Sequence, residues 1–438
     1  MTSATDGRRL ALVAAVVGLA AGLLSLARLW IANQQALTEV IWAEDGVFPL
    51  CVRKAGFLTC LVDPYAGYLH FVPRFFAGLV SLLPVEDWAL ATNLLAAAFA
   101  GVVAALAVVV MRRFGIGWFS SVVLGLLPVA APVLSFEAIN SLACSYMLLL
   151  YLSALVLAFP ERPENSRKTY AVAVAALLLL TTLTIPVAGV FLALLVVQVC
   201  RRTIAMRASI IYAAAIVVGL VAQGIASAQA EKPRPIDISG EHLSSWINSL
   251  PDTLLTYWPG LRLGDFTFFD VFPVSPVGVT GAFLAVALVI GGLALLFRGG
   301  DRRVGIGLLL LTGIALGAIP VIISGTNNRY FVVPVLLWGA ALMVGLDPVI
   351  RRARVWVVAL VTALVLVVWW PAIPANWFRS TPAPPWSAEV ARVEAKCTAD
   401  PGFTDRIIFS PFWPPNWGDA LSEPTHPDIP CLVVWKWG

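Results

Sequence analysis

Eleven stretches of the chain are almost continuously apolar, and polar residues gather in clusters between them. The runs are centred on 10–31, 88–111, 116–135, 142–159, 170–184, 186–200, 208–228, 275–297, 304–324, 331–346 and 355–371. Crossing about 30 Å of hydrocarbon takes roughly 20 apolar residues in a helix. The pattern therefore predicts an all-α polytopic membrane protein with about 11 transmembrane helices. Arg8-Arg9 precede the first run, as they would in a signal peptide. Its apolar stretch is longer than a usual signal core, and Ala27-Arg28-Leu29-Trp30 is a poor cleavage site, so a retained anchor is expected.

One stretch breaks the regular spacing. Residues 170–200 are apolar for about thirty positions, with Thr181-Thr182-Leu183-Thr184-Ile185-Pro186 in the middle and basic residues at both ends. Two short helices meeting inside the membrane fit the charge pattern better than one long helix. Each would reach only about 22 Å. Non-helical backbone at that depth must be buried in protein or line a wet cavity. The expectation is a cavity opening outward.

Composition agrees with the pattern. Hydrophobic residues make up 60 % of the chain and charged residues 12 %, against about 25 % charged in a soluble domain. The mean hydropathy is +0.88. The net charge of +4 hides an asymmetry. Arg112-Arg113, Arg167-Lys168, Arg201-Arg202, Arg302-Arg303 and Arg351-Arg352 mark every second connection. The other side receives the segments 32–87, 229–274 and 372–438, which hold most of the 25 acidic residues. Basic loops stay in the cytosol. The reading is a multi-pass plasma-membrane protein with a cytosolic N-terminus and an extracytoplasmic C-terminus, and no partnership with nucleic acid.

Two domains follow: a membrane domain over 1–371 and a small outer segment over 372–438. The second is rich in Pro and Trp and ends in the strand-like run Cys431–Trp437. Cys51 and Cys60 share the first outer loop, and Cys397 and Cys431 share the tail. Disulfides persist on that side, although pairing cannot be deduced from sequence, and four unpaired thiols remain the alternative. Stretches 46–62 and 68–84 mix aromatic and aliphatic residues with Arg and Lys, which predicts helices lying in the membrane interface.

Chemistry has few places to sit. No phosphate-binding loop, zinc-protease helix or nucleophile elbow is present, and His70, His242 and His426 lie far apart. Four outer features stand out. The first is Glu44-Asp45-Gly46 after the first run. Neighbouring side chains point apart, so one carboxylate can face a site while the other holds structure; a solvated turn is the alternative. The second is Tyr65 to Arg74, where Tyr65, Tyr68, His70 and Arg74 could face a sugar ring and a phosphate, or simply form an interfacial aromatic belt. The third is Arg329-Tyr330 after Asn327-Asn328, a bidentate donor suited to a lipid phosphate or a snorkelling side chain. The fourth is Glu137 and Asn140, on one face if helical, which could bind a hydroxylated acceptor or cap a helix.

Taken together, Glu44-Asp45-Gly46, the Tyr65-x-Gly67-Tyr68-Leu69 stretch ending in Pro73-Arg74, the broken helix pair and Arg329-Tyr330 resemble the GT-C superfamily of membrane glycosyltransferases. The likeness is to actinobacterial members with EDG and YxGYLxxxPR signatures, and covers roughly 10–371. It implies a GT-C-like bundle and an inverting transfer of a sugar from a polyprenyl-phosphate donor to a glycan or lipid-linked acceptor of the cell envelope. It places the catalytic base on Asp45, with Glu44 as the alternate. Arg329, Tyr330, Arg74 and His70 would serve the donor phosphate, and Tyr65, Tyr68, Glu137 and Asn140 the sugar and acceptor. No cofactor is predicted; a divalent metal, used by some relatives at the acidic motif, stays open. A transporter or flippase of a lipid-linked intermediate, or a non-catalytic scaffold in the envelope, are the other readings.

Overall fold

The structure, a computed structural model, describes residues 4–42, 44–65, 67–131, 140–161, 168–230, 241–242, 244, 246–248, 275–298, 300–324, 328–369, 385–400, 404–406 and 428–431. Each of the eleven apolar runs holds a helix among the described residues. In chain order, α1 is Ala4–Ala32, followed by a single turn, α2 (Ala36–Glu39), and three helices of the first long connection, α3 (Glu44–Ala55), α4 (Phe57–Val62) and α5 (Phe71–Val80). Then come α6 (Trp88–Arg113), α7 (Trp118–Ala130), α8 (Ser145–Ala158), α9 (Lys168–Thr184), α10 (Phe191–Cys200) and α11 (Met206–Gln229). The last are α12 (Ser275–Arg298), α13 (Asp301–Ser324), α14 (Val332–Ile350), α15 (Val355–Trp369) and α16 (Trp386–Ala399). Among the described residues, five helices are long and apolar enough to cross a membrane: Asp6–Ile31, Val85–Arg113, Met206–Gln229, Asp301–Ile323 and Val332–Ile350.

Close backbone approach holds the first pair of long helices together. A Cβ built on Gly101 of α6 would lie 2.6 Å from the Gly18 carbonyl oxygen of α1, and one on Gly18 would lie 2.8 Å from the Gly101 oxygen. Helices in a bilayer gain little from apolar burial, so small residues that let backbones touch supply the contact. Gly101→Ala should therefore push α1 and α6 apart at a cost of roughly 1–3 kcal/mol, read as a lower melting temperature of the detergent-solubilised chain.

The basic connections gather at one end of the bundle. Arg9 and Arg112 both lie over the Trp118 ring. Arg113 pairs with Glu161 at 3.3 Å and lies over Tyr170. The buried Asp347 carboxylate holds Arg351 at 2.8 Å and Arg302 at 3.3 Å, and accepts the Gly117 amide at 2.9 Å. Arg201 donates to the Leu296 carbonyl. A shallow crevice lined by Glu161, Tyr170 and Tyr212 lies at this end too, remote from the acidic motif.

The opposite end carries the long connections. Buried polar side chains tie it together. Arg28, near the end of α1, donates to the Val129 and Ala131 carbonyls at 2.6 and 3.1 Å, taking up acceptors at the C-terminus of α7. Ser25 donates to Asn140 Oδ1, and Asn140 Nδ2 donates to the Asn93 side chain and carbonyl. Asn93 in turn donates to carbonyls of the turn around α2.

Both cysteine pairs are disulfides. Cys51–Cys60 closes α3 onto α4, and Cys397–Cys431 closes the tail. In the tail, β1 (Thr404–Arg406) pairs antiparallel with β2 (Asp428–Pro430). The strand-like reading of Cys431–Trp437 falls outside the described residues except for Cys431. The tail is fixed through Trp386, whose ring stacks on Trp88 at 6.3 Å and whose Nε1 donates to the Val85 carbonyl at 2.7 Å. The Ser387 amide donates to Glu39. Trp386→Ala should cost about 3 kcal/mol at this contact and detach α16 locally. Faster hydrogen exchange over 386–399, with the long helices unchanged, is the expected readout.

Candidate functional site

The acidic motif opens α3. It is not a solvated turn, because Gly46 and Phe48 are buried within the helix. The two carboxylates have opposite fates. Asp45 is 3 % exposed. Its Oδ1 accepts the Ala143 amide at 2.6 Å and its Oδ2 the Leu142 amide at 3.2 Å, in the turn leading into α8. Both carboxylate oxygens are thus taken up by backbone amides, which ties the side chain to the turn before α8. Glu44 remains half-buried. Its Oε1 accepts the Tyr65 hydroxyl at 3.3 Å. Consecutive positions on a helix diverge by about 100°, which gives the pair these different environments.

An aromatic wall stands beside Glu44. Tyr65 and Tyr68 exchange backbone hydrogen bonds across a tight turn, and Gly67 takes φ +85°, a conformation glycine adopts without steric cost. The turn delivers His70 into a cluster of rings: Tyr68 at 4.4 Å, Tyr65 at 5.4 Å and Phe48 at 5.8 Å between centroids. Tyr65 also meets Phe48 edge-on at 5.3 Å.

Arg74 serves this connection internally. It is buried, donates to the Cys60 carbonyl, pairs with Asp63 at 3.4 Å and lies over the Phe48 ring at 4.9 Å. Burial pushes its guanidinium below the ordinary value, and Asp63 is the first influence opposing that. The earlier assignment of Arg74 to a donor phosphate thus meets a side chain already committed to Asp63 and Phe48.

The wall is docked on the broken helix pair. The break falls at Ile185, between α9 and the 3₁₀ turn Pro186–Val190. Pro186 at the break is exposed, and described groups from α5 and α11 reach the neighbouring turns. Gln223 of α11 accepts the Leu69 amide at 2.8 Å, donates to the Leu69 carbonyl at 3.3 Å and donates to the Thr182 carbonyl at 2.8 Å. The Thr184 hydroxyl accepts the Val72 amide at 3.3 Å. One backbone acceptor next to the break, the Thr182 carbonyl, is taken up in this way.

The remaining expectations divide. Asn140 is buried at φ +55°, and its amide is engaged by Ser25 and Asn93. Glu137 lies outside the described residues. Arg329 and Tyr330 lie in the 3₁₀ turn Asn328–Phe331. The antiparallel course of α13 and α14 puts that turn at the end of the bundle that carries the acidic motif. Tyr330 packs against the cluster of Trp246, Val321, Phe331 and Trp338. The Arg329 side chain lies outside the described residues. Among the described residues, no group of three His, Cys, Asp or Glu side chains is placed to hold a metal.

Sequence reading missed Gln223, Asn93 and Ser25. The signal was available: amides inside apolar runs are costly and need partners. Their partners on other elements are 41 to 154 positions away, which no local pattern reveals.

The fold and its surface define a helical membrane protein. No model of a known protein family matches the chain, and no curated protein is significantly similar to it.

Proposed function

We propose that the protein is an inverting membrane glycosyltransferase of the GT-C type. It takes a sugar from a polyprenyl-phosphate donor at the non-cytosolic face of the plasma membrane and gives it to a cell-envelope acceptor. All eleven apolar helices are then membrane segments, two of them the short pair meeting at Ile185. The basic end faces the cytosol, and α3 to α5 lie at the outer interface, where Leu58, Val62 and Leu82 expose apolar surface. Both disulfides belong on that outer, oxidising side.

The observation that carries the reading is the unequal pair Glu44 and Asp45. Asp45 anchors the start of α3 to the turn before α8. Glu44 is the carboxylate left accessible, beside Tyr65, Tyr68 and His70. In the proposed reaction an acceptor hydroxyl attacks the anomeric carbon and Glu44 takes its proton. The bond from that carbon to the phosphate oxygen breaks, and polyprenyl phosphate leaves with the electron pair. Attack opposite the phosphate inverts the anomeric centre. Arg329, from the neighbouring connection, supports the developing phosphate charge. Base chemistry thus moves from Asp45, the first choice by resemblance, to Glu44. Arg74 and Asn140 become positioning residues.

The test uses the full chain in proteoliposomes with a labelled polyprenyl-phosphate sugar and envelope-glycan acceptors. Label transferred to acceptor with inverted configuration supports the proposal. Label that crosses the bilayer without a new glycosidic bond identifies a transporter instead. Label that does neither, with properly folded protein, favours a scaffold.

A further inference from the structure

The basic end holds more than scattered topology signals. Three arginines from three helices converge on one turn. Arg9 of α1 lies 5.1 Å and Arg112 of α6 lies 4.1 Å from the centroid of Trp118. Arg112 donates to the Ile116 carbonyl, and Arg351, just past the end of α14, donates to the Gly115 carbonyl. Arg112 feels the repulsion of both Arg351 and Arg9. The acids that answer are Asp347 and Asp6. Asp347 is fully buried and already shared by Arg351, Arg302 and the Gly117 amide. Arg9, Arg112, Arg302 and Arg351 lie around these two acids. Ordinary cytosolic arginines spread apart into water. Holding Arg9 and Arg112 against one indole ring keeps like charges close, and an anion between them relieves the repulsion.

The surface beside the cluster is apolar and open. Leu12 and Val16 follow Arg9 by three and seven positions, hence on the same face of α1. They are 66 % and 57 % exposed. Phe119, next to Trp118, is also exposed. A ligand with a negative head and hydrocarbon tails would meet arginines at the head and this strip along its chains.

We propose that this end carries a binding site for one anionic phospholipid. Its phosphate sits against Arg9, Arg112 and Arg351, and its acyl chains run along Leu12, Val16 and Phe119. The site is independent of the proposed sugar transfer, being at the opposite end of the bundle.

The test titrates the purified full chain in detergent with phosphatidylglycerol, and compares phosphatidylcholine and inorganic phosphate. Binding is followed by native mass spectrometry and by melting temperature. Phosphatidylglycerol should be retained and should raise the melting temperature, and neither comparison ligand should. Arg9→Gln with Arg112→Gln should weaken phosphatidylglycerol binding roughly 30-fold, and Arg9→Gln alone roughly fivefold. The single variant covers the case in which the double variant fails to fold, because the described contact of Arg9 is only the face of Trp118. Equal binding by wild type and Arg9→Gln would overturn the proposal. So would equal retention of phosphatidylcholine. An equal shift from inorganic phosphate would assign the cluster to a free anion rather than a lipid.

Discussion

Glu44→Gln is expected to lower sugar transfer by about 10²–10⁴-fold, the usual contribution of a positioned general base, while leaving the melting temperature unchanged. The substitution is nearly isosteric. The Tyr65 hydroxyl can donate to the Gln oxygen as it does to Glu44 Oε1. What is lost is the ability to take a proton. Turnover should fall with little change in the apparent affinity for the donor, because the carboxylate acts on the reacting hydroxyl rather than on the lipid phosphate. Steady-state kinetics with a labelled polyprenyl-phosphate sugar separate the two. Full activity in this variant would remove Glu44 from the chemistry.

Asp45→Ala should do the reverse of this in kind: it should damage the fold first. The two amides it accepts, at Leu142 and Ala143, are buried. Removing the carboxylate leaves both without partners, at roughly 1–3 kcal/mol each. A loss of about 3 kcal/mol is therefore expected, with local opening of the turn before α8. Detergent melting and hydrogen exchange over 140–145 measure it. Asp45→Asn keeps one acceptor oxygen but turns an NH₂ group toward an amide donor, so it should fall between wild type and Ala. A variant Asp45→Asn with native stability and no activity would return the base to Asp45.

The contrast between these carboxylates shows how far the sequence reaches. Each of the eleven apolar runs holds a helix among the described residues, and five of those helices are long and apolar enough to cross a membrane, because length and apolarity are local properties. The break at Ile185-Pro186 was legible from the basic residues at both ends of the run, which one helix would put on opposite sides. The cysteine pairs were suggested by sharing a segment, and Cys51–Cys60 and Cys397–Cys431 are bonded. Glu44 and Asp45 could be singled out but not ranked. Their difference is made by Leu142 and Ala143, nearly a hundred residues away. Arg74 looked available for phosphate until Asp63 and Phe48 were found around it. The expected outward cavity at the broken pair rested on unsatisfied backbone. Gln223, an unremarked amide in a later run, takes up the Thr182 carbonyl there and joins it to Leu69. Long-range polar pairing, not hydrophobic pattern, decides these points.

The claim that everything else depends on is that the half-buried Glu44 and the turn bearing Arg329 serve one reaction at the same face of the membrane. Determining the structure of the full chain with a polyprenyl-phosphate sugar bound tests it most directly. The account predicts the phosphate at Asn328-Arg329, the sugar against Tyr65 and Tyr68, and the anomeric carbon within one acceptor hydroxyl of the Glu44 carboxylate. A phosphate lodged at the basic end of the bundle, or a sugar held away from Glu44, would contradict it.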